Sequence, residues 1–327
     1  MAVAADLYYA TREPFGPGGD FVTAPEISQM FGELVGAWVA DLWQRTGSPS
    51  HILLVELGPG RGTLMADVLR TLAKVAPELK ADVHLVERSL RLRAEQAQRL
   101  AATWHDTLET LPDDAPLICI ANEFFDALPL TQLERTETGW ALRAVQNGRL
   151  DLSMEANSAM VPESLRNAPS GAVYERNFAG ESVAAALSRR LAAQGGGALI
   201  FDYGYAGPAL GDSLQAIQGG AFADPLATLG MADISAQVDF VALAHAATRA
   251  APVRALGPIA QGEFLLALGI RARADALKQL ASIERRAEIE AAVARLTGAG
   301  AMGRLFKALA LVAPGWPQPA GFPILPE

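Results

Sequence analysis

A single cysteine, Cys119, stands in a chain of 327 residues, so neither an intramolecular disulfide nor a cysteine-based zinc site can form, and no metal is expected. Its neighbours Leu117, Ile118 and Ile120 are apolar, which reads as a buried strand residue. No run of about 18 apolar residues occurs, so no membrane-inserting helix is expected. The first residues lack both the basic segment and the hydrophobic core of a secretory signal, and a reducing cytoplasm is the expected location. Positive charge is also in deficit: 27 Lys and Arg face 36 Asp and Glu, for a net charge of -9. Binding along a nucleic-acid backbone draws on clustered cations, so no nucleic-acid partner is expected and a basic protein partner suits the chain better. There is no internal repeat and no low-complexity segment. What the chain does have is apolar content: half of it is hydrophobic, enough to build a core for one large domain or two ordinary ones.

The pattern along the chain is that of an α/β protein. Ile52 to Leu57 form an apolar run interrupted only by Glu56, as in a strand buried on both faces of a parallel sheet. Leu64, Met65, Val68, Leu69, Leu72 and Val75 then recur at helical spacing until Pro77. A second strand is predicted over 83–86, the distance of one βαβ unit. A helix over 90–102, strands at 103–105 and 117–121, a helix over 180–194 and a strand at 198–201 continue the alternation. Residues 130–154 read as antiparallel strands joined at an Asn147-Gly148 turn. Residues 203–225 are rich in Gly and Pro, whereas 271–297 contain neither, which predicts one long helix. The expected division is a Rossmann-like core (51–129 and 180–240), an N-terminal lid and helix (1–50), an inserted antiparallel segment (130–179) and a C-terminal helical and strand region completing the core (241–327).

The loop "GPGRGT" at 58–63 marks a ligand site between strand and helix. A triphosphate loop needs Lys before its Ser or Thr, but Gly62 stands there; a dinucleotide loop would place its third glycine where Thr63 stands. The observed spacing is Gly58, Gly60, Gly62, preceded in the strand by Glu56. This resembles the first motif of S-adenosylmethionine-dependent methyltransferases, in which glycines let the backbone approach the adenosyl and methionine moieties. Glu87 ends the second strand, where a carboxylate can accept both ribose hydroxyls, and Asp106 follows the third, within reach of an adenine amino group. Each could also be an ordinary solvated acid, but together with the glycines they occupy the carboxyl ends of successive strands, where open α/β sheets hold ligands.

Longer stretches carry a more specific resemblance. "GGDFVTAPEISQMFGELVGAW" (18–38), "LVELGPGRGTLMADVLR" (54–70), "HLVERS" (84–89), "NEFFDALPL" (122–130), "FDYGY" (201–205), "VDF" (238–240), "GPIAQGEFLLALGI" (257–270) and "MGRLFKALAL" (302–311) look like the MidA-type family. That family includes the mitochondrial complex I assembly arginine methyltransferase. The resemblance implies a Rossmann-like class I methyltransferase sheet with helices on both faces, plus an inserted β-rich segment and a helical C-terminal region. It also implies S-adenosyl-L-methionine as methyl donor and, for the mitochondrial members, symmetric dimethylation of an arginine in a core complex I subunit. The chain departs from the family's pattern at "YERNFAG" (174–180), which leaves Glu175 without an assigned role.

A guanidinium is planar and cationic, so carboxylates are its natural partners. Glu123, directly after the fourth strand, is the first candidate for holding the acceptor, with Asp126 as its assistant or as the cap of a following helix. Asn122 serves either the methionine end of the cofactor or the turn itself, and Asp202, at the end of the fifth strand, is a weaker candidate for the acceptor pocket. In the N-terminal motif, Asp20, Phe21, Thr23 and Glu26 read either as a lid near the methionine end or as a capping arrangement in which Thr23 or Ser28 caps the helix. Two alternatives differ in class: an assembly protein that keeps the fold without catalysis, and a nicotinamide oxidoreductase.

Overall fold

The computed structural model describes residues 1, 3–4, 7–8, 23–227 and 230–323. After a short helix α1 (Ala24–Ile27) and helix α2 (Gln29–Arg45), strands and helices alternate: β1 (Ile52–Leu57), α3 (Thr63–Val75), β2 (Ala81–Val86), α4 (Leu90–Gln96), β3 (Thr103–His105) and β4 (Leu117–Asn122). A segment of antiparallel strands follows, β5 (Thr131–Arg135), β6 (Trp140–Gln146), β7 (Arg149–Ala156) and β8 (Val173–Arg176), and then α5 (Phe178–Gln194) and β9 (Gly196–Tyr205). The remainder comprises β10 (Gln215–Gln218), β11 (Ala221–Ala223), β12 (Asp233–Ser235), β13 (Val238–Asp239), α6 (Phe240–Ala250), β14 (Arg254–Ala260), α7 (Gln261–Ala267), α8 (Ile270–Gln279), α9 (Ile283–Thr297), α10 (Met302–Leu305) and β15 (Phe306–Val312).

The central sheet has the order β14-β15-β9-β4-β1-β2-β3, with β13 attached to β9. The pairs from β9 through β3 are parallel, and β15 runs antiparallel between β9 and β14. This is the class I methyltransferase sheet implied by the resemblance. The strand order reverses between β1 and β4, which opens a crevice at their carboxyl ends.

Period-two alternation assigns the sheet residues to two cores. Ile52 and Leu54 of β1 and Ile118 and Ile120 of β4 face α2 and α3, where Trp38, Phe31, Met65 and Val68 are buried. Leu53, Val55 and Leu57 with Leu117, Cys119 and Ala121 face α5 and α6, against Leu187, Leu191, Phe240 and Leu243. Cys119 is buried in that second core, where desolvation pushes its thiol far above the ordinary value.

Three expectations need correction. The helix expected over 271–297 is two helices, because Ser282 takes an extended conformation and its side chain accepts from the Arg285 amide, capping α9 and ending the run from α8. The helix expected over 90–102 stops at Gln96, whose buried side chain turns to other partners. The Gly-rich stretch after Tyr203 contains β10 and β11, which pair with β12 in a separate three-stranded sheet. In β6–β7 the turn residues Asn147 and Gly148 have φ of 51° and 75°, the pattern of a type I′ turn. Glu175 on β8 is buried and accepts from Gln132 Nε2 at 2.7 Å and from the Ser213 and Leu214 amides at 3.1 and 3.2 Å, so it ties the antiparallel segment to the chain entering β10.

Candidate active site

β1 delivers the chain to the glycine loop, and all three glycines are left-handed, with φ of 60° at Gly58, 52° at Gly60 and 79° at Gly62. That region is disfavoured for residues with a Cβ. Space gives a second reason at Gly58, where a Cβ would sit 2.9 Å from the Phe124 ring. Glu56 lies on β1 with only 2% of its surface exposed; burial drives its carboxyl up to about 8 although the Met65 amide donates to it, and its Oε2 has no partner among the described residues.

Two cavities flank the loop and share Gly58, Gly60 and Glu123. The larger, about 830 Å³, is lined on one side by Val86, Glu87, Asp106 and Leu108 and on the other by Phe124 and Leu128. Glu87 accepts from the Ser89 amide at 2.7 Å, and burial holds its carboxyl above the ordinary value. Asp106 sits at the rim with its side chain 75% exposed, paired with Arg93 Nη2 at 2.5 Å.

The smaller cavity, about 420 Å³, is lined by Thr23, Glu26, Glu56, Asn122, Glu123 and Asp126, and also by Tyr203, Gln215, Asp233 and Ser235. Glu123 is one of three described non-glycine residues with positive φ, at 52°. Such a conformation costs about 1–3 kcal/mol and persists where surroundings enforce it. Its amide donates to Phe201 O at 2.9 Å, and its Oε1 accepts from Ala24 N and Asn122 Nδ2, both at 3.2 Å. Burial, followed by the charge of Asp126, raises the Glu123 carboxyl to about 8.

Among the described residues no helix starts between β4 and β5, so Asp126 is not the helix cap that was one of its two readings. Burial raises its carboxyl to about 6; the Tyr203 hydroxyl donates to it, and its Oδ1 has no partner among the described residues. Asp202 does not line the cavity: it is fully buried, accepting from the Phe125 and Asp126 amides at 2.9 and 3.1 Å and from the Tyr203 amide at 2.9 Å, so it shapes the turn that carries Glu123 and Asp126. Asn122, which lines the cavity, donates to Glu123, and its own Oδ1 has no partner among the described residues.

Thr23 makes no side-chain cap; Ser28 caps α2 by accepting from the Met30 amide at 3.2 Å. Glu26 instead reaches the glycine loop, accepting from Thr63 Oγ1 at 2.6 Å and lying 3.7 Å from Arg61 Nη1. The N-terminal motif is thereby stitched across the loop. Asp20 and Phe21 lie outside the described residues.

Sequence reading missed Gln96, Tyr203, Asp233 and Ser235. Gln96 is fully buried and donates to Gly60 O at 2.7 Å and to Glu87 Oε2 at 3.5 Å while accepting from Trp104 Nε1 at 2.8 Å, which fixes the loop against the second and third strands. No local pattern marks a glutamine as such a hub. Tyr203 lay in the quoted "FDYGY", but only folding carries Asp233 and Ser235 from a distant strand to the same cavity.

The sequence matches over residues 34–259 the family described as "Putative S-adenosyl-L-methionine-dependent methyltransferase". The chain belongs to this family. It is 36% identical to the protein arginine methyltransferase NDUFAF7 homolog of Drosophila melanogaster, over 93% of this chain and 77% of that protein. It is 34% identical to the human protein arginine methyltransferase NDUFAF7, over 81% of this chain and 67% of that protein. Both relatives are named as mitochondrial. Among solved structures, one from Burkholderia thailandensis bound to S-adenosyl-homocysteine matches with a TM-score of 0.79 at 24% identity, covering 98% of this chain and 89% of that one. A second from the same organism matches at 0.77 with 26% identity, covering 98% and 93%.

This methyltransferase family membership makes the chain an enzyme that takes its methyl group from S-adenosylmethionine, and it sets aside the nicotinamide reading. The chain's own residues fit that donor: three glycines clear a path for it, and beside the loop Asn122 Oδ1 and Glu56 Oε2 have no partner among the described residues. Among the described residues no helix is long and apolar enough to cross a membrane.

Proposed function

We propose that this methyltransferase modifies the arginine side chain of a protein, forming symmetric dimethylarginine on a core subunit of respiratory complex I, in the cytoplasm of a bacterium. The observation that carries the reading is the smaller cavity, where the partly buried Glu123 and the buried Asp126, both held above their ordinary pKa, line the space next to the glycine loop. Buried carboxylates without a cation are costly, and a guanidinium supplies the missing charge with matching hydrogen-bond geometry. The names of the relatives support the same acceptor.

In this reading Gly58, Gly60 and Gly62 accommodate the donor, Glu87 accepts from its ribose hydroxyls and Asp106 meets its adenine at the rim of the larger cavity. Glu56, Asn122, Thr23 and Glu26 serve its methionine end. When bound, S-adenosylmethionine supplies an electrophilic methyl on a sulfonium. The protein's part is alignment, which provides most of the acceleration in such a displacement. Glu123 holds one guanidinium nitrogen toward the loop, Asp126 accepts a second N–H, and Glu123 takes the proton that the nitrogen gives up as it gains carbon.

The test is mass spectrometry of complex I core subunits from cells with and without the protein, joined to transfer of labelled methyl to a purified subunit. Loss of one arginine methylation in the deleted cells, restored by the purified enzyme, is the expected result. Identical arginine modification in both cell types would sink the reading.

A further inference from the structure

The three-stranded sheet β11-β10-β12 has two faces with different tasks. On one, Ala216 and Ile234 are buried in a small core with Ala4. On the other, the paired residues Gln215 and Ser235, and Ile217 and Asp233, line the smaller cavity. Asp233 is only 7% exposed and lies close enough to Glu123 for its charge to raise that carboxyl. Ser235 hydrogen-bonds the Tyr203 hydroxyl, which in turn donates to Asp126. Asp126, 8% exposed, lines the same cavity, and its Oδ1 has no hydrogen-bond partner among the described residues.

We infer that the small sheet is the acceptor-recognition element, and that Asp233 on β12 joins Asp126 in binding the guanidinium of the incoming arginine. This rests on the reading of arginine as acceptor. A planar cation with five donors needs more than one acceptor, and the small sheet adds Asp233 to the acids that the turn after β4 brings to the same cavity. Ile217, next to Asp233 on the same face, gives the aliphatic stem of the arginine an apolar contact.

The experiment is calorimetric titration of the full-length protein, saturated with S-adenosylhomocysteine, with N-acetyl-arginine amide and with its neutral isostere N-acetyl-citrulline amide. The wild type is expected to bind the arginine compound and not the citrulline one. Asp233→Asn is expected to lose at least about tenfold in arginine affinity with S-adenosylhomocysteine affinity unchanged, and Asp233→Glu, which keeps the charge, to recover most of it. The unchanged cofactor affinity also establishes that the variants fold. Undiminished arginine affinity in Asp233→Asn would overturn the inference alone. Loss of S-adenosylhomocysteine binding in both Asp233 variants would assign Asp233 to the cofactor and overturn it too. Wild type that ignores arginine, or binds citrulline equally well, would overturn the arginine reading and the inference together.

Discussion

The two cavities beside the glycine loop both carry acids, yet they treat them differently. In the larger one Asp106 is mostly exposed and paired with Arg93, and Glu87 rests on the Ser89 amide. In the smaller one Glu56, Asn122 and Asp126 each leave an oxygen without a partner among the described residues, and burial pushes the carboxyls of Glu56 and Glu123 to about 8. The larger cavity holds acids that are already satisfied, as suits accepting hydrogen bonds from a largely neutral nucleoside. The smaller one stores unmet demand for a positive charge. Residue type alone does not separate the two roles; solvation and neighbours do.

The largest break in this comparison is expected at the loop common to both sides. Gly60→Val forces a β-branched residue into a φ of 52° and fills the space of the ligand, so S-adenosylhomocysteine binding should vanish in calorimetry while the protein remains folded by circular dichroism.

The next largest effect concerns the smaller cavity and pH. The folded-state pKa of Glu56 lies above its ordinary 4.5, at about 8, so the folded protein retains a proton there that the unfolded chain releases. The stabilisation is complete below about 4.5 and is lost as pH rises through about 8. Glu56→Gln should remove this loss, flattening the decline in denaturation free energy between pH 5 and 9 by roughly 4 kcal/mol. An unaltered slope would show that Glu56 ionises normally.

On the other side of the loop, Glu87→Ala should weaken S-adenosylhomocysteine binding by about 1 to 3 kcal/mol, the scale for hydrogen bonds to an ionised acceptor. An unchanged dissociation constant would remove Glu87 from the ribose site. Glu123→Gln sharpens the division further: methyl transfer to an arginine-containing acceptor should fall by at least about tenfold with cofactor affinity intact. Joint loss of both would reassign Glu123 to the cofactor. The smallest effect is expected at Asp106→Asn, where an exposed carboxylate already shared with Arg93 contributes less than about 1 kcal/mol to cofactor affinity, read in the same titration.

Much of the central sheet was legible because buried parallel strands are continuous apolar runs and the helices between them are amphipathic, patterns that depend only on neighbours in the chain. The loop was legible for a related reason: a left-handed turn restricts residue choice to glycine locally, so Gly58, Gly60 and Gly62 announce it without knowledge of the rest. By contrast, the break at Ser282 was not visible, because a helix-compatible composition on both sides hides one capping serine.

The site divides in the same way. The sequence by itself determined the α/β class, the glycine loop, and the row of acids at the strand ends, since each follows from local spacing. Tertiary structure alone decided that Asp202 is a turn anchor and not a pocket wall, that Glu26 binds the loop across 37 residues of sequence, and that Asp233 and Ser235 face Asp126 from a separate sheet. A carboxylate's role depends on who shares its space and how much water remains, and those quantities arise only when distant segments pack together.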